Sequence, residues 1–183
     1  MTVGDGRAGG GFETERLIVR PWTDDEADLA RIFDTYSRPE VTRWLGNPRP
    51  METPDEATAA VRRWAALSTG DAHFGVWALQ RRDDTTVVGT VLVRLLPNTD
   101  GSPPGDVEVG WHLHPDAWGH GYATEAARGA VERAFAAGVP GIFAVVRPGN
   151  EPSMAVCRRL GMRSIGLTDR WYDTELEGFY RPR

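Results

Sequence analysis

Midway along the chain a strand runs into a glycine turn and straight on into a long alanine-rich helix, and this is the most informative segment of the sequence. In DVEVGWHLH a period of two puts Val107, Val109, Trp111 and Leu113 on one face, with Glu108, Gly110, His112 and His114 on the other. Past Pro115 the chain turns through AWGHGYATEA into a helix predicted to run to about Ala137 and stop at Gly138. Glycines in such a turn let backbone approach a ligand closely. Its successive N–H groups, aided by the positive helix end, suit phosphate or pyrophosphate oxygens. A glycine pattern this short also serves as a bare strand-to-helix turn. No Lys-Ser or Lys-Thr pair follows to make a P-loop, and the preceding strands read as hairpin and meander rather than a dinucleotide-binding βαβ series.

The flanking segments set the order of elements. RLIVRPW reads as a first strand ending at a proline, after which Thr23 is expected to cap a helix bearing Leu29, Ile32, Phe33 and Tyr36 on one stripe. A proline-containing loop spans Arg38 to Pro50. Thr53 with Glu56 forms a capping-box pattern ahead of Ala57, Ala60, Val61, Trp64 and Leu67 at helical spacing. HFGVWALQ and TVVGTVLVRLL read as a hairpin and GIFAVV as a later strand. Asn150 caps a short helix reaching Leu160, and RSIGLTD and ELEGFYR close the chain as strands. The expectation is an α/β domain with about six to seven strands and about four helices over 12–183, preceded by a flexible glycine-rich tail over 1–11.

Composition narrows the function classes. Apolar residues at 40% and charged residues at 26% describe a packed globular chain. The formal net charge is −5 with scattered arginines, which makes nucleic acid a poor partner, and no apolar run approaches membrane-spanning length. A soluble cytoplasmic protein is expected. Its lone cysteine, Cys157, can form no internal disulfide, and no His, Cys and carboxylate group has metal-ligand spacing, so no metal is expected.

The run EVGWHLHPDAWGHGYATEAARGAVERAF resembles the acetyl-CoA-binding motif of the GCN5-related N-acetyltransferase (GNAT) superfamily, most of all its ribosomal-protein alanine N-acetyltransferase (RimJ/RimL-like) branch. FETERLIVRPW, VVGTVLV and NEPSMAVCRRLGM agree in order and spacing, so the resemblance covers about Phe12 to Gly166. It implies a mostly antiparallel sheet in which two parallel strands splay apart to admit acyl-CoA. By the same resemblance, backbone amides of Trp118, Gly119, His120, Gly121, Tyr122, Ala123 and Thr124 hold the CoA pyrophosphate, the strand ending Leu113-His114 pairs with pantetheine amides, and Asn150 reaches pantetheine from the other side. Asp116 departs from the Gln or Arg of many relatives.

Amine acetylation needs a neutral nucleophile, so a base near the thioester is expected. Glu108 matches a glutamate common in the family, with His112 and His114 as rivals on its face and a salt-bridged strand residue as the plain alternative. Where many relatives place a tyrosine acid, this chain has Cys157. Ser153, one helical turn earlier, matches the hydroxyl of the preferred branch and is the first candidate, with Cys157 second and otherwise a small buried apolar residue. Trp44 is expected either to border the acceptor cavity or to anchor its loop. The acceptor implied is an amine, on a protein N-terminus or on a small molecule such as an aminoglycoside, polyamine or amino acid. A larger acyl group, a homodimer, and a non-catalytic acyl-CoA-binding module remain open.

Overall fold

The computed structural model describes residues 10–68 and 70–183. Among them a single eight-stranded sheet has the order β1-β2-β3-β4-β5-β6-β8-β7. The chain runs through β1 (Phe12–Glu13), β2 (Leu17–Pro21), α1 (Glu26–Tyr36), α2 (Pro39–Thr42), α3 (Asp55–Leu67), β3 (Gly75–Arg81), β4 (Val87–Leu95) and β5 (Val107–Leu113). A 3₁₀ turn, Pro115–Ala117, leads to α4 (Tyr122–Ala136), β6 (Gly141–Val146), α5 (Glu151–Arg159), β7 (Arg163–Thr168) and β8 (Leu176–Pro182). Every paired neighbour is antiparallel except β5 with β6.

Helices cover both faces of the central strands. Along β3, Trp77 and Leu79 join the core formed with α4 and α5, whereas Val76 and Ala78 join the core formed with α1 and α3. That alternation is the period of two, and burial on both faces removes the polar positions of a half-exposed strand. Side chains as large as Trp77, Leu79 and Ile32 are almost fully buried, each contributing roughly 1.5–3 kcal/mol of transfer free energy. Strands β4 and β5 approach so closely at Gly89 that a Cβ there would fall 2.4 Å from the His112 carbonyl oxygen. The glycine of VVGTVLV is therefore a packing requirement.

Local chemistry moved several boundaries. Asp25, not Thr23, caps α1, because its carboxylate accepts the Asp28 N–H at 2.9 Å while the Thr23 hydroxyl donates to Asp25 and Asp28. Glu56 accepts the Thr53 N–H at 3.1 Å as a capping box should, yet α3 starts at Asp55 with Pro54 as its cap. The two elements beyond the expected seven strands and four helices are β1, with only two residues, and α2, one turn begun by Pro39. Neither is long enough to show a period. Of the expected tail, residues 1–9 lie outside the described residues, and Gly10 accepts a bond from Arg133 at 2.9 Å. Among the described residues no helix is long and apolar enough to cross a membrane.

Candidate functional site

Strands β5 and β6 pair at one position, Glu108 opposite Phe143, and part toward their C-terminal ends. Two neighbouring cavities occupy this region. The larger, about 1100 Å³, is lined by the turn 117–124 and by α5, and the smaller, about 150 Å³, lies against β4, β5, β6 and the loop before β8. Trp44, Leu45, Trp111, His112, Asn150 and Ser153 line both and form the wall between them. The His114 N–H bonds to the Val88 carbonyl of β4 at 3.1 Å, so by strand alternation the backbone groups of Trp111 and Leu113 face the parted side.

The larger cavity ends at a set of unpaired backbone donors. Gly119 and Gly121 both have φ +81, which side chains other than glycine resist. None of the N–H groups from Gly119 to Thr124 has an acceptor among the described residues, and Glu125 is the first to bond back, to Gly121. They stand at the positive end of the 15-residue α4. Arg16, Arg43, Arg128 and Arg159 line the same cavity. Arg16 is paired with Glu125, while the other three have no carboxylate partner among the described residues. Residues far apart in the chain thus give the lining of this cavity a positive balance, four arginines against Glu15 and Glu125, a feature that a search for basic runs misses.

The smaller cavity carries a carboxylate held from two sides. Arg94 Nε donates to Glu108 Oε2 at 3.1 Å, the Tyr172 hydroxyl donates to the same oxygen at 2.5 Å, and Arg94 Nη2 donates to the Tyr172 oxygen at 2.6 Å. Glu108 Oε1 has no hydrogen-bond partner among the described residues. Burial first, then the Glu108 carboxylate, push the Tyr172 phenol up, so it remains a donor. Burial opposes the Arg94 charge, but Glu108 and Tyr172 outweigh it and the guanidinium stays charged. Tyr172 and Asp173 take left-handed backbone at φ +62 and +51. The adjacent Trp171, fully buried and donating to Asp106 at 3.2 Å, pins that loop. Such conformations cost of order 1–3 kcal/mol each and persist only where the surroundings impose them.

His112 completes the shared wall. Its Nδ1 lies 3.1 Å from the Tyr36 hydroxyl, which shares a further bond of 2.9 Å with Thr90. Burial, with the Arg94 charge adding to it, pushes the imidazolium down to about 4, so the ring is neutral at pH 7.

Residues 16–163 match the acetyltransferase (GNAT) domain family. The chain is also 31% identical over 180 residues to the uncharacterized N-acetyltransferase YoaA of Bacillus subtilis (strain 168), covering 94% of this chain and 97% of that protein. This chain belongs to the GNAT family. Membership makes it an acetyl-CoA-dependent N-acetyltransferase, with the acceptor amine left unspecified. An acetyltransferase structure from Agrobacterium tumefaciens str. C58 superposes with a TM-score of 0.73 across 100% of both chains at 23% identity. RimL, a ribosomal L7/L12 α-N-protein acetyltransferase solved with coenzyme A, superposes at 0.71 over 92% of this chain and 95% of that one, at 13% identity. At those identities both speak for the fold alone, which leaves the RimJ/RimL-like branch without further support.

The residues singled out from the acetyltransferase sequence take different places. Trp118, Gly119, Gly121, Tyr122, Ala123 and Thr124 line the larger cavity together with Leu113. The His120 ring stacks on Tyr122, and its carbonyl accepts from Arg16 at 2.9 Å. The Leu113 carbonyl is already taken by the Trp118 indole N–H at 2.9 Å. The His114 ring lines neither cavity; it is buried between Asp34, 3.0 Å from Nε2, and Asp116, whose N–H donates to Nδ1 at 3.2 Å. Asp116 also takes both of its oxygens to Arg31. Asn150 and Ser153 reach both cavities, with Asn150 Oδ1 accepting the Ser153 N–H at 3.3 Å as the cap of α5. Cys157 is fully buried, lines neither cavity, and burial raises its thiol to about 12. Trp44 lies on the shared wall beneath the Arg43 guanidinium. Arg94 and Tyr172 carried no signal in the sequence, because neither lies in a motif and each acquires its part only through Glu108.

Proposed function

We propose that this acetyltransferase moves the acetyl group of acetyl-CoA onto the primary amine of a small acceptor by direct attack on the thioester. The observation that supports this reading is the lining the two cavities share, beside which acetyl-CoA in the larger cavity and an amine in the smaller one come together. The pyrophosphate fits the open donors from Gly119 to Thr124, where a Cβ on Gly119 would meet nothing within 4 Å. Pantetheine runs along the parted side of β5, toward the backbone groups of Trp111 and the N–H of Leu113, with Asn150 opposite.

In the reaction a nitrogen–carbon bond forms, the carbon–sulfur bond breaks, and two protons must move. Glu108 accepts the ammonium proton, directly or through water, its carboxylate oriented by Arg94 and Tyr172 so that Oε1 is left for that task. Ser153 donates its proton to the departing thiolate and regains the second nitrogen proton from the collapsing tetrahedral adduct, being the hydroxyl that lines both cavities, whereas the buried Cys157 thiol lines neither. A cavity of about 150 Å³ supports a compact acceptor, or only the terminal residue of a longer one.

The test is CoA-thiol release from acetyl-CoA and succinyl-CoA across amino acids, polyamines, aminoglycosides and N-terminal peptides. Turnover of acetyl-CoA with compact amines is expected. Turnover with peptides alone would move the acceptor to a protein N-terminus. Tight acetyl-CoA binding with no release on any amine would leave a binding module.

A further inference from the structure

The smaller cavity holds one more charge than its proposed chemistry needs. Of the charged side chains lining it, Arg94 and Glu108 neutralise one another, and the remaining one is Arg147. Arg147 follows the end of β6 and lines the smaller cavity but not the larger. Its Nε donates to the Leu45 carbonyl at 2.9 Å and its Nη2 to the Gly46 carbonyl at 3.3 Å. Among the described residues no carboxylate comes within ion-pair distance of it.

Those two bonds hold one edge of the guanidinium against the loop after α2 and leave Nη1 without a partner among the described residues. Backbone carbonyls satisfy donors but do not cancel the charge. A half-buried guanidinium without a counter-ion is costly, and an incoming anion offsets that cost. Its planar fork suits a carboxylate, and a side chain already pinned has little rotamer freedom left to lose on binding one.

The geometry points to Arg147 as a carboxylate-binding residue that selects acceptors carrying an anionic carboxylate close to the reacting amine. The small volume places anion and amine on one compact molecule or on one terminal residue. Two sources share this chemistry: a free α-amino acid, and a peptide whose N-terminal residue is Asp or Glu. This selection rests on the acetyl-transfer reading for its outcome, but the anion site itself does not.

Two measurements separate them. In the first, CoA-thiol release is followed with α-amino acids, the matching α-amino amides, and capped dipeptides beginning with Asp, Glu or their amides, for the wild type, Arg147→Gln and Arg147→Lys. Gln retains a donor for the Leu45 carbonyl while removing the charge. The carboxylate form is expected to be preferred over its amide by at least about tenfold in kcat/KM, the scale of a charge-assisted hydrogen bond. That preference should collapse in Arg147→Gln, mainly through KM, and survive in part in Arg147→Lys. Which series shows it identifies the source. In the second, the same amino acids are titrated calorimetrically into CoA-saturated protein, which needs no turnover. Acids and amides used equally well, or a preference unaltered in Arg147→Gln, would overturn the carboxylate site and leave acetyl transfer standing. If no amine is acetylated, the transfer reading falls; binding heat lost in Arg147→Gln would then still uphold the anion site, and absence of binding would sink it too.

Discussion

The turn from Trp118 to Thr124 and the cluster of Arg94, Glu108 and Tyr172 lie at neighbouring cavities but draw on very different lengths of chain. The turn is seven consecutive residues, of which Gly119 to Thr124 keep their backbone N–H groups open, so the cradle proposed for it needs only two glycines at φ +81 and a helix behind them. The cluster takes single side chains from β4, β5 and the loop before β8, with Tyr172 sixty-four positions from Glu108. A site made of backbone in one segment tolerates most side-chain changes and fails when its conformation is lost. A site made of converging side chains weakens one contact at a time.

Four experiments bear on that contrast. The largest effect is expected for Gly121→Val. Space beside Gly121 is open, with only Arg16 Nη2 3.5 Å from where a Cβ would stand, so the expected damage comes from forcing a β-branched residue to φ +81 and from a side chain standing in the proposed path of the anion. Acetyl-CoA affinity by calorimetry should fall about a hundredfold, near 3 kcal/mol. An unchanged affinity in the folded variant would remove the proposed cradle.

Glu108→Gln comes next, with kcat expected to fall by about a hundredfold while acetyl-CoA affinity stays close to wild type, and the loss deepening at low pH where more amine is protonated. Tyr172→Phe keeps the carboxylate but frees one oxygen from a donor, and should cost about threefold to tenfold in kcat. Equal losses would mean that Tyr172 does more than orient Glu108. Full activity in Glu108→Gln would make the whole cluster structural.

The third comparison sets Ser153→Ala against Cys157→Ala at saturating acetyl-CoA. The serine variant should lose about tenfold to a hundredfold in rate, and the cysteine variant only a little stability from lost packing. The reverse order would require a path to a thiol that lines neither cavity.

The smallest effect concerns His112, whose folded pKa of about 4 lies below its ordinary 6.5. Between those values the unfolded chain binds more protons than the native one, so this histidine makes stability rise with pH across that window and lowers it as pH falls through 6.5 toward 4. Melting temperature against pH should be flatter in His112→Gln than in the wild type between pH 6.5 and 4. Identical slopes would place the imidazole in water rather than in the buried wall.

Much of the fold was legible in the residue order, since β3 and β4 are short apolar runs, β5 and α4 carry their periods in their own side chains, and Gly138 and Gly161 mark helix ends. Element order, the glycine turn, the cap at Asn150 and the family motif all rest on neighbours within a few positions, where local sterics and hydrogen bonding decide the conformation. Tertiary structure alone decided that β5 and β6 part beyond Glu108, that His114 turns away toward Asp34 while His112 stays on the wall, and that Arg94 and Tyr172 converge on one carboxylate. It also decided that Arg147 reaches the smaller cavity with no carboxylate beside it among the described residues. These depend on which distant residues are brought within about 3 Å of one another, and a hydrogen bond or ion pair across such a span leaves no period in the sequence.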